Sequence, residues 1–156
     1  MKLVPTRRTD YAIQSLVYIA NAPDPPVKAN AVGQAMGIPT GFLQQVLREL
    51  LQAGLLTSRP GPAGGFRLAR PAEEITVLQI VEAMEGPLRT GECALRGGPC
   101  HWADVCALHR VWSAARDALC DRLDDATLAT VAADDRALAA GLMEVPEDSH
   151  RRAAAD

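Results

Sequence analysis

A mainly α-helical fold with one small two-stranded element is what this sequence predicts, and three observations carry the prediction. Aromatics make up 4% of the 156 residues while 48% are hydrophobic, many of them Ala and Leu, a composition that suits helices. Apolar residues recur at steps of three and four in several separate stretches. One place reads differently: Leu55-Leu-Thr-Ser-Arg59 and Phe66-Arg-Leu-Ala-Arg70 are short strands joined by Pro60-Gly-Pro-Ala-Gly-Gly65. The length allows one compact domain, or a small domain with a dimerisation arm.

Residues 6–21 place Ala12, Ile13, Leu16, Val17 and Ala20 on one helical face, with Arg7, Arg8 and Asp10 in the first turn. Two arginines at a helix start oppose the macrodipole, which points to an anionic partner such as phosphate. Asn21-Ala-Pro-Asp-Pro-Pro26 ends the helix, because proline cannot continue it. A short helix follows over 29–36, then Gly37-Ile38-Pro39 as a turn. Thr40 is the expected N-cap of a helix running to Ala53 and closed by Gly54. In that helix Phe42, Leu43, Val46, Leu47 and Leu50 form the expected buried stripe. Thr40, Gly41, Gln44, Gln45, Arg48 and Gln52 are left on the other face.

Two helices joined by a short Gly-containing turn have the layout of a helix-turn-helix, whose second helix enters the major groove. The outward residues suit base reading, since Gln pairs bidentately with adenine and Arg with guanine. The hairpin directly after makes the unit a winged helix, and Arg59, Arg67 and Arg70 put positive charge on the wing. Thr76-Val-Leu-Gln79 has capping-box form, with Leu78, Val81 and Met84 as the apolar face of a helix up to Gly86. Further on, Val105, Leu108, Trp112, Ala115 and Leu119 alternate steps of three and four, the seam of a long helix that packs against another chain. A homodimer is the natural partner. A last short helix starts near Asp125 and packs back on the body, and residues 145–156, His150 among them, read as a disordered tail.

The net charge of −3 hides an asymmetry. Residues 1–71 hold eight Lys and Arg against three acids, giving +5. Residues 72–156 hold eight Arg against sixteen acids, giving −8. Polyanion binding follows the local field, so the N-terminal half is the candidate DNA-binding half. The candidate contacts there are Arg7, Arg8, Lys28, Thr40, Gln44, Gln45, Arg48, Arg59 and Arg67. No apolar run reaches the length of a membrane span and no N-terminal stretch has signal-peptide form, so a cytoplasmic protein with no membrane association is expected. No Gly-rich phosphate loop or Ser-His-Asp set supports an enzyme.

Three of the four cysteines fall within fourteen residues, Cys93, Cys100 and Cys106, in a C-x6-C-x5-C-x2-H pattern that ends on His109. Crowded thiols in an intracellular chain point to metal more than to disulfide. Thiolates suit zinc or iron–sulfur clusters, and the spacing alone excludes neither. Gly97 and Gly98 let the loop wrap a bulky object. Cys120 lies on the long helix and reads as a packed apolar thiol.

With these pieces in place the sequence resembles the Rrf-two family of winged-helix regulators, IscR- and NsrR-like. The marks are Thr9-Asp-Tyr-Ala12, Gly54-Leu-Leu56, Gly61-Pro-Ala-Gly-Gly-Phe66, Ile75-Thr-Val77, Cys106-Ala-Leu-His109-Arg-Val-Trp112 and Thr127-Leu-Ala129. The resemblance covers the chain to about residue 135. It implies a homodimeric transcriptional regulator, a repressor, that binds a double-stranded operator and carries an iron–sulfur cluster, 2Fe-2S rather than 4Fe-4S. By position Cys93, Cys100 and Cys106 match the family's cysteine ligands. The fourth ligand is His109, matching the histidine of IscR-like members, or Asp10, matching the aspartate that some NsrR-like members supply from the partner subunit. His109 is favoured because it lies one helical turn after Cys106.

Two departures stand out. The first cysteine gap holds six residues where five is usual, and Pro60 stands where many members have Arg just before the wing's glycines, with Arg59 as the candidate to replace its phosphate contact. The expected organisation is a winged helix-turn-helix DNA-binding domain over 1–86, a cluster-binding loop over 87–106 and a dimerisation helix with a closing helix over 104–135. The alternative is the same DNA-binding regulator with a structural zinc site or no metal, not regulated by redox state.

Overall fold

The computed structural model describes residues 5–90, 93, 98 and 106–144. The described elements are α1 (Arg7–Asn21), α2 (Ala29–Met36), α3 (Thr40–Gln52), β1 (Leu56–Arg59), β2 (Gly65–Leu68), a 3-10 turn (Ala72–Glu74), α4 (Val77–Glu85), α5 (His109–Asp125) and α6 (Leu128–Ala139). The fold is mainly α, a winged helix-turn-helix followed by a long helix, as the sequence predicts.

α1 is the hub of the core: it packs against α2, α3, α4, α6 and β2. Its buried face carries Ala12, Leu16, Val17 and Ile19, meeting Val32 from α2 and Leu43, Val46, Leu47 and Leu50 from α3. Burying one such side chain contributes about 1.5–3 kcal/mol, so this cluster is what holds the helix-turn-helix together. Between α2 and α3, Gly37 takes φ +64, a left-handed turn that glycine adopts at little cost.

β1 and β2 pair antiparallel, with Leu56 opposite Leu68 and Ser58 opposite Phe66. Val27 extends the hairpin by a two-hydrogen-bond bridge to Phe66, at 2.7 and 2.8 Å. Gly64 is buried at the wing tip, where an added Cβ would lie 1.9 Å from the Arg59 carbonyl oxygen. The close approach therefore requires glycine.

α4 starts with the expected capping box: the Thr76 hydroxyl accepts from the Gln79 N–H, and the Gln79 side chain accepts from the Thr76 N–H. Main-chain bonds from Val77 N–H to the Ala126 carbonyl (2.8 Å) and from Leu128 N–H to the Ile75 carbonyl (2.7 Å) bring the chain back after α5. α6, capped by Thr127, then packs on α1.

Several expectations need correction. The N-cap of α3 is Pro39, extended at φ −58 and ψ 133, so Thr40 is the first helical residue and caps nothing. Phe42 lies at the rim of the buried stripe, 39% exposed, with its ring edge-on to Tyr11 at 5.3 Å. Arg70 leaves the wing: it donates to the carbonyls of Gly54 and Glu74 and to the Gln79 side chain. α5 begins at His109, so Leu108 sits at its N-cap and Cys106 lies before it. The exposed apolar residues at this end are Leu108 (48%), Val111 (66%) and Leu119 (43%), whereas Trp112 is half-buried. The seam is thus rotated from the expected one, with Val111 where Trp112 was placed. Cys120 is fully buried, as expected for a packed thiol. Val105, Cys100 and the tail at 145–156 lie outside the described residues.

Candidate nucleic-acid interface and cysteine segment

α3 separates its residues cleanly. Leu43, Val46, Leu47 and Leu50 face the core, while Thr40, Gly41, Gln44, Gln45, Arg48 and Gln52 are exposed. Gly41, Gln44, Gln45, Arg48, Glu49 and Gln52 line a shallow groove along that outer side. The side chains available there are amides, a guanidinium and a carboxylate, the groups that read base edges by hydrogen bonding.

The hairpin register pairs Thr57 with Arg67 and Arg59 with Gly65. Cross-strand partners share a face, so Arg59 and Arg67 leave the same side of the wing, opposite Leu56 and Phe66. Both arginines are exposed. Lys28 is bound within the chain: its ammonium donates to the carbonyls of Gly61 (3.2 Å) and Pro62, clasping the wing tip. Arg7 is exposed in the first turn of α1. Its neighbour Arg8 turns inward, donating to the Met84 carbonyl and pairing with Glu49 at 3.5 Å. A phosphate contact by Arg8 would compete with both.

Sequence reading missed two carboxylates. Glu85, the last residue of α4, receives the Thr6 and Thr9 hydroxyls and the Thr6 N–H (3.1 Å). These hydroxyl bonds, with Arg8 adding a smaller contribution, hold its carboxyl below the usual carboxylate range. The charge sits at the N-terminus of α1, where the helix dipole favours an anion. Glu49 on α3 accepts from Arg8 and from Gln45. For Glu49 the only sequence signal was a lone acid four residues after Gln45; for Glu85 there was none, its partners lying more than seventy residues away.

The cysteine segment is anchored at both ends. The Cys93 N–H donates to the Gly98 carbonyl at 2.8 Å. Arg116 donates to the Thr90 carbonyl at 2.8 Å and Arg89 pairs with Asp121, fixing the entry to α5. At the exit, the His109 N–H donates to the Cys106 carbonyl at 3.0 Å, so the two are one turn apart as expected, across the helix start. Cys93 and Cys106 are free, half-buried thiols and His109 is exposed. Asp10 is exposed on α1 and accepts from Gln14 at 2.9 Å. Among the described residues no three His, Cys, Asp or Glu side chains come together as a metal set.

A helix-turn-helix with a polar outer face and a wing carrying two exposed arginines defines a winged-helix DNA-binding protein. The sequence matches the Rrf2 family, described as iron-dependent transcriptional regulators, over residues 5–134, and the chain belongs to that family. It is 34% identical over 135 residues to protein rrf2 of Nitratidesulfovibrio vulgaris, spanning 86% of this chain and 89% of that one. Among solved structures, CymR, the global cysteine regulator of B. subtilis, is similar at a TM-score of 0.72 and 25% identity, covering 85% of this chain and 98% of its own. IscR of T. potens is similar at a TM-score of 0.69 and 26% identity, covering 86% and 90%. The chain is a DNA-binding transcriptional regulator and not an enzyme. No helix among the described residues is long and apolar enough to cross a membrane.

Proposed function

We propose that this regulator holds an iron–sulfur cluster, 2Fe-2S rather than 4Fe-4S, on Cys93, Cys100 and Cys106 with His109 or Asp10 as fourth ligand, and that its DNA affinity depends on whether the cluster is intact. The observation that supports this reading is the tethering of the cysteine segment at both ends to one helix, through Arg116 to Thr90 and through His109 to Cys106. The donor set fits the group in kind: thiolates suit iron, and an imidazole or carboxylate completes the shell. When bound, the cluster supplies chemistry sensitive to redox state, nitric oxide or iron supply.

This chain's own residues transmit the change. Release of Cys93 and Cys106 from a shared centre loosens the segment and shifts α5. The apolar side of α5, with Leu108, Val111, Ala115 and Leu119, is the seam of a homodimer, because two-fold dimers are the commonest way to cover such a face. A shift of α5 then changes the separation of the two α3 helices. Half-sites lie about one helical turn of DNA apart, so a small displacement weakens binding to a pseudo-palindromic operator. Thr40, Gln44, Gln45 and Arg48 read the groove, Arg7, Arg59 and Arg67 set the register on phosphate, and Lys28 holds the wing tip in place through the Gly61 and Pro62 carbonyls. The chain acts in the cytoplasm as a repressor.

A second reading keeps the DNA-binding role and gives the same residues a structural zinc or no metal. It draws on the donor chemistry, since a closed tetrahedral zinc site accepts three thiolates and one imidazole equally well. Anaerobic purification followed by native mass spectrometry and a visible spectrum separates the two, run on the wild type beside His109→Ala and Asp10→Ala. The cluster reading expects a coloured protein with an iron–sulfide mass that one of the two variants loses. A colourless protein carrying zinc or no metal supports the second reading instead.

A further inference from the structure

Glu49 is the single acid among residues 25–71, and it lines the outer groove of α3 beside Gln44, Gln45 and Arg48. A carboxylate on a surface that meets a polyanion is repelled unless it is neutralised. Here one oxygen, Oε1, is engaged twice: by the Arg8 guanidinium at 3.5 Å and by the Gln45 side-chain amide at 3.2 Å. The Glu49 side chain is 22% exposed and that of Arg8 37%, so the carboxylate is partly shielded from solvent while the guanidinium stays open to it.

An ionised carboxylate only accepts hydrogen bonds, so this contact settles which way the Gln45 amide lies. Its NH2 is directed at Glu49. The carbonyl oxygen and the second N–H stay available on an exposed side chain, and those are the two groups that a glutamine offers to adenine. Gln44 has no such anchor among the described residues. Arg8 is held in turn from the other side, donating to the Met84 carbonyl in the last turn of α4. That carbonyl belongs to a helix end, where main-chain acceptors lack an intrahelical partner.

We propose that Arg8 and Glu49 are positioning residues that fix Gln45 for base reading. The chain Met84–Arg8–Glu49–Gln45 links the end of α4, from which the cysteine segment departs, to one side chain of the recognition helix. Arg8 thereby acts through Glu49 and not as a phosphate contact. The inference rests on the proposed DNA-reading role of α3.

The test is the base-preference profile of the full chain, measured by selection from a duplex library with randomised half-sites. Gln45→Ala is expected to lower discrimination at one base pair by roughly tenfold. Glu49→Gln and Arg8→Lys should lower discrimination at that same base pair by about threefold, and neither should lower it further in a Gln45→Ala background. A merely structural role for the pair moves the melting temperature and total affinity for all sequences alike, leaving the profile intact. Should Arg8→Lys fail to fold, the isosteric Glu49→Gln carries the test. The inference is overturned if Gln45→Ala changes the profile while Glu49→Gln leaves it unchanged or alters a different position. If Gln45→Ala, Gln44→Ala and Arg48→Ala all leave the profile unchanged, the reading face of α3 itself falls and the inference falls with it.

Discussion

Removing the two wing arginines is a perturbation whose size the fold sets directly. The register places Arg59 and Arg67 on one face of the hairpin, both are exposed, and neither forms an ion pair among the described residues. Each neutralised phosphate contributes about 0.9 to the slope of log affinity against log salt, so Arg67→Ala should lower the slope by about 0.9 and the double alanine variant by about 1.8. Because this contribution is independent of sequence, fluorescence anisotropy with any duplex across a salt series measures it. Arg70→Gln is the control, since that guanidinium is already bound to Gly54, Glu74 and Gln79, and it should leave the slope unchanged. A double variant with the wild-type slope, or an Arg70→Gln slope that falls as far, refutes the placement of the wing on the phosphates.

Glu85 gives a pH dependence. Its carboxyl is held below the usual carboxylate range by Thr6 and Thr9 and then by Arg8, so it contributes stability that is present above that range and is lost as pH falls through its folded value. Thermal melts on the acid side should therefore fall more steeply for the wild type than for Glu85→Gln; parallel curves would remove Glu85 from the account. On α5, Val111→Asp places a charge on the most exposed apolar residue of the proposed seam, and sedimentation should show monomer at concentrations where the wild type is dimeric. An unchanged dimer would move the interface elsewhere.

What the sequence disclosed was set by the range of the interaction. The capping box at Thr76 and Gln79, the Gly37 turn and the hairpin are local, and each was legible from residues a few positions apart. Periodicity located the buried face of α3 but not its edge: Phe42, the first large apolar residue, stays at the rim because Tyr11 meets only the side of its ring. The same limit rotated the α5 seam by one residue, since Val111 and Trp112 are neighbours and the spacing alone does not say which of them turns in. Thr40 read as a cap because its side chain favours one, yet Pro39 already supplies the extended backbone there. The roles of Arg8 and Arg70 were not legible. Arg8 bonds Met84 across 76 positions, and Arg70 bends back because three acceptors at the α3 and α4 junction outcompete solvent on the wing. Of the proposed ligands, the motif identified the thiols by type, while their assembly with His109 or Asp10 depends on chain geometry beyond any spacing rule.

The most direct test of the central claim is an anaerobic titration of operator affinity against cluster content, on one preparation stepped from fully loaded to apo. The account predicts that affinity changes in proportion to the loaded fraction, and that Cys93→Ala or Cys106→Ala holds the protein at the apo value throughout. Equal affinity of the loaded and apo forms for every operator selected would contradict it.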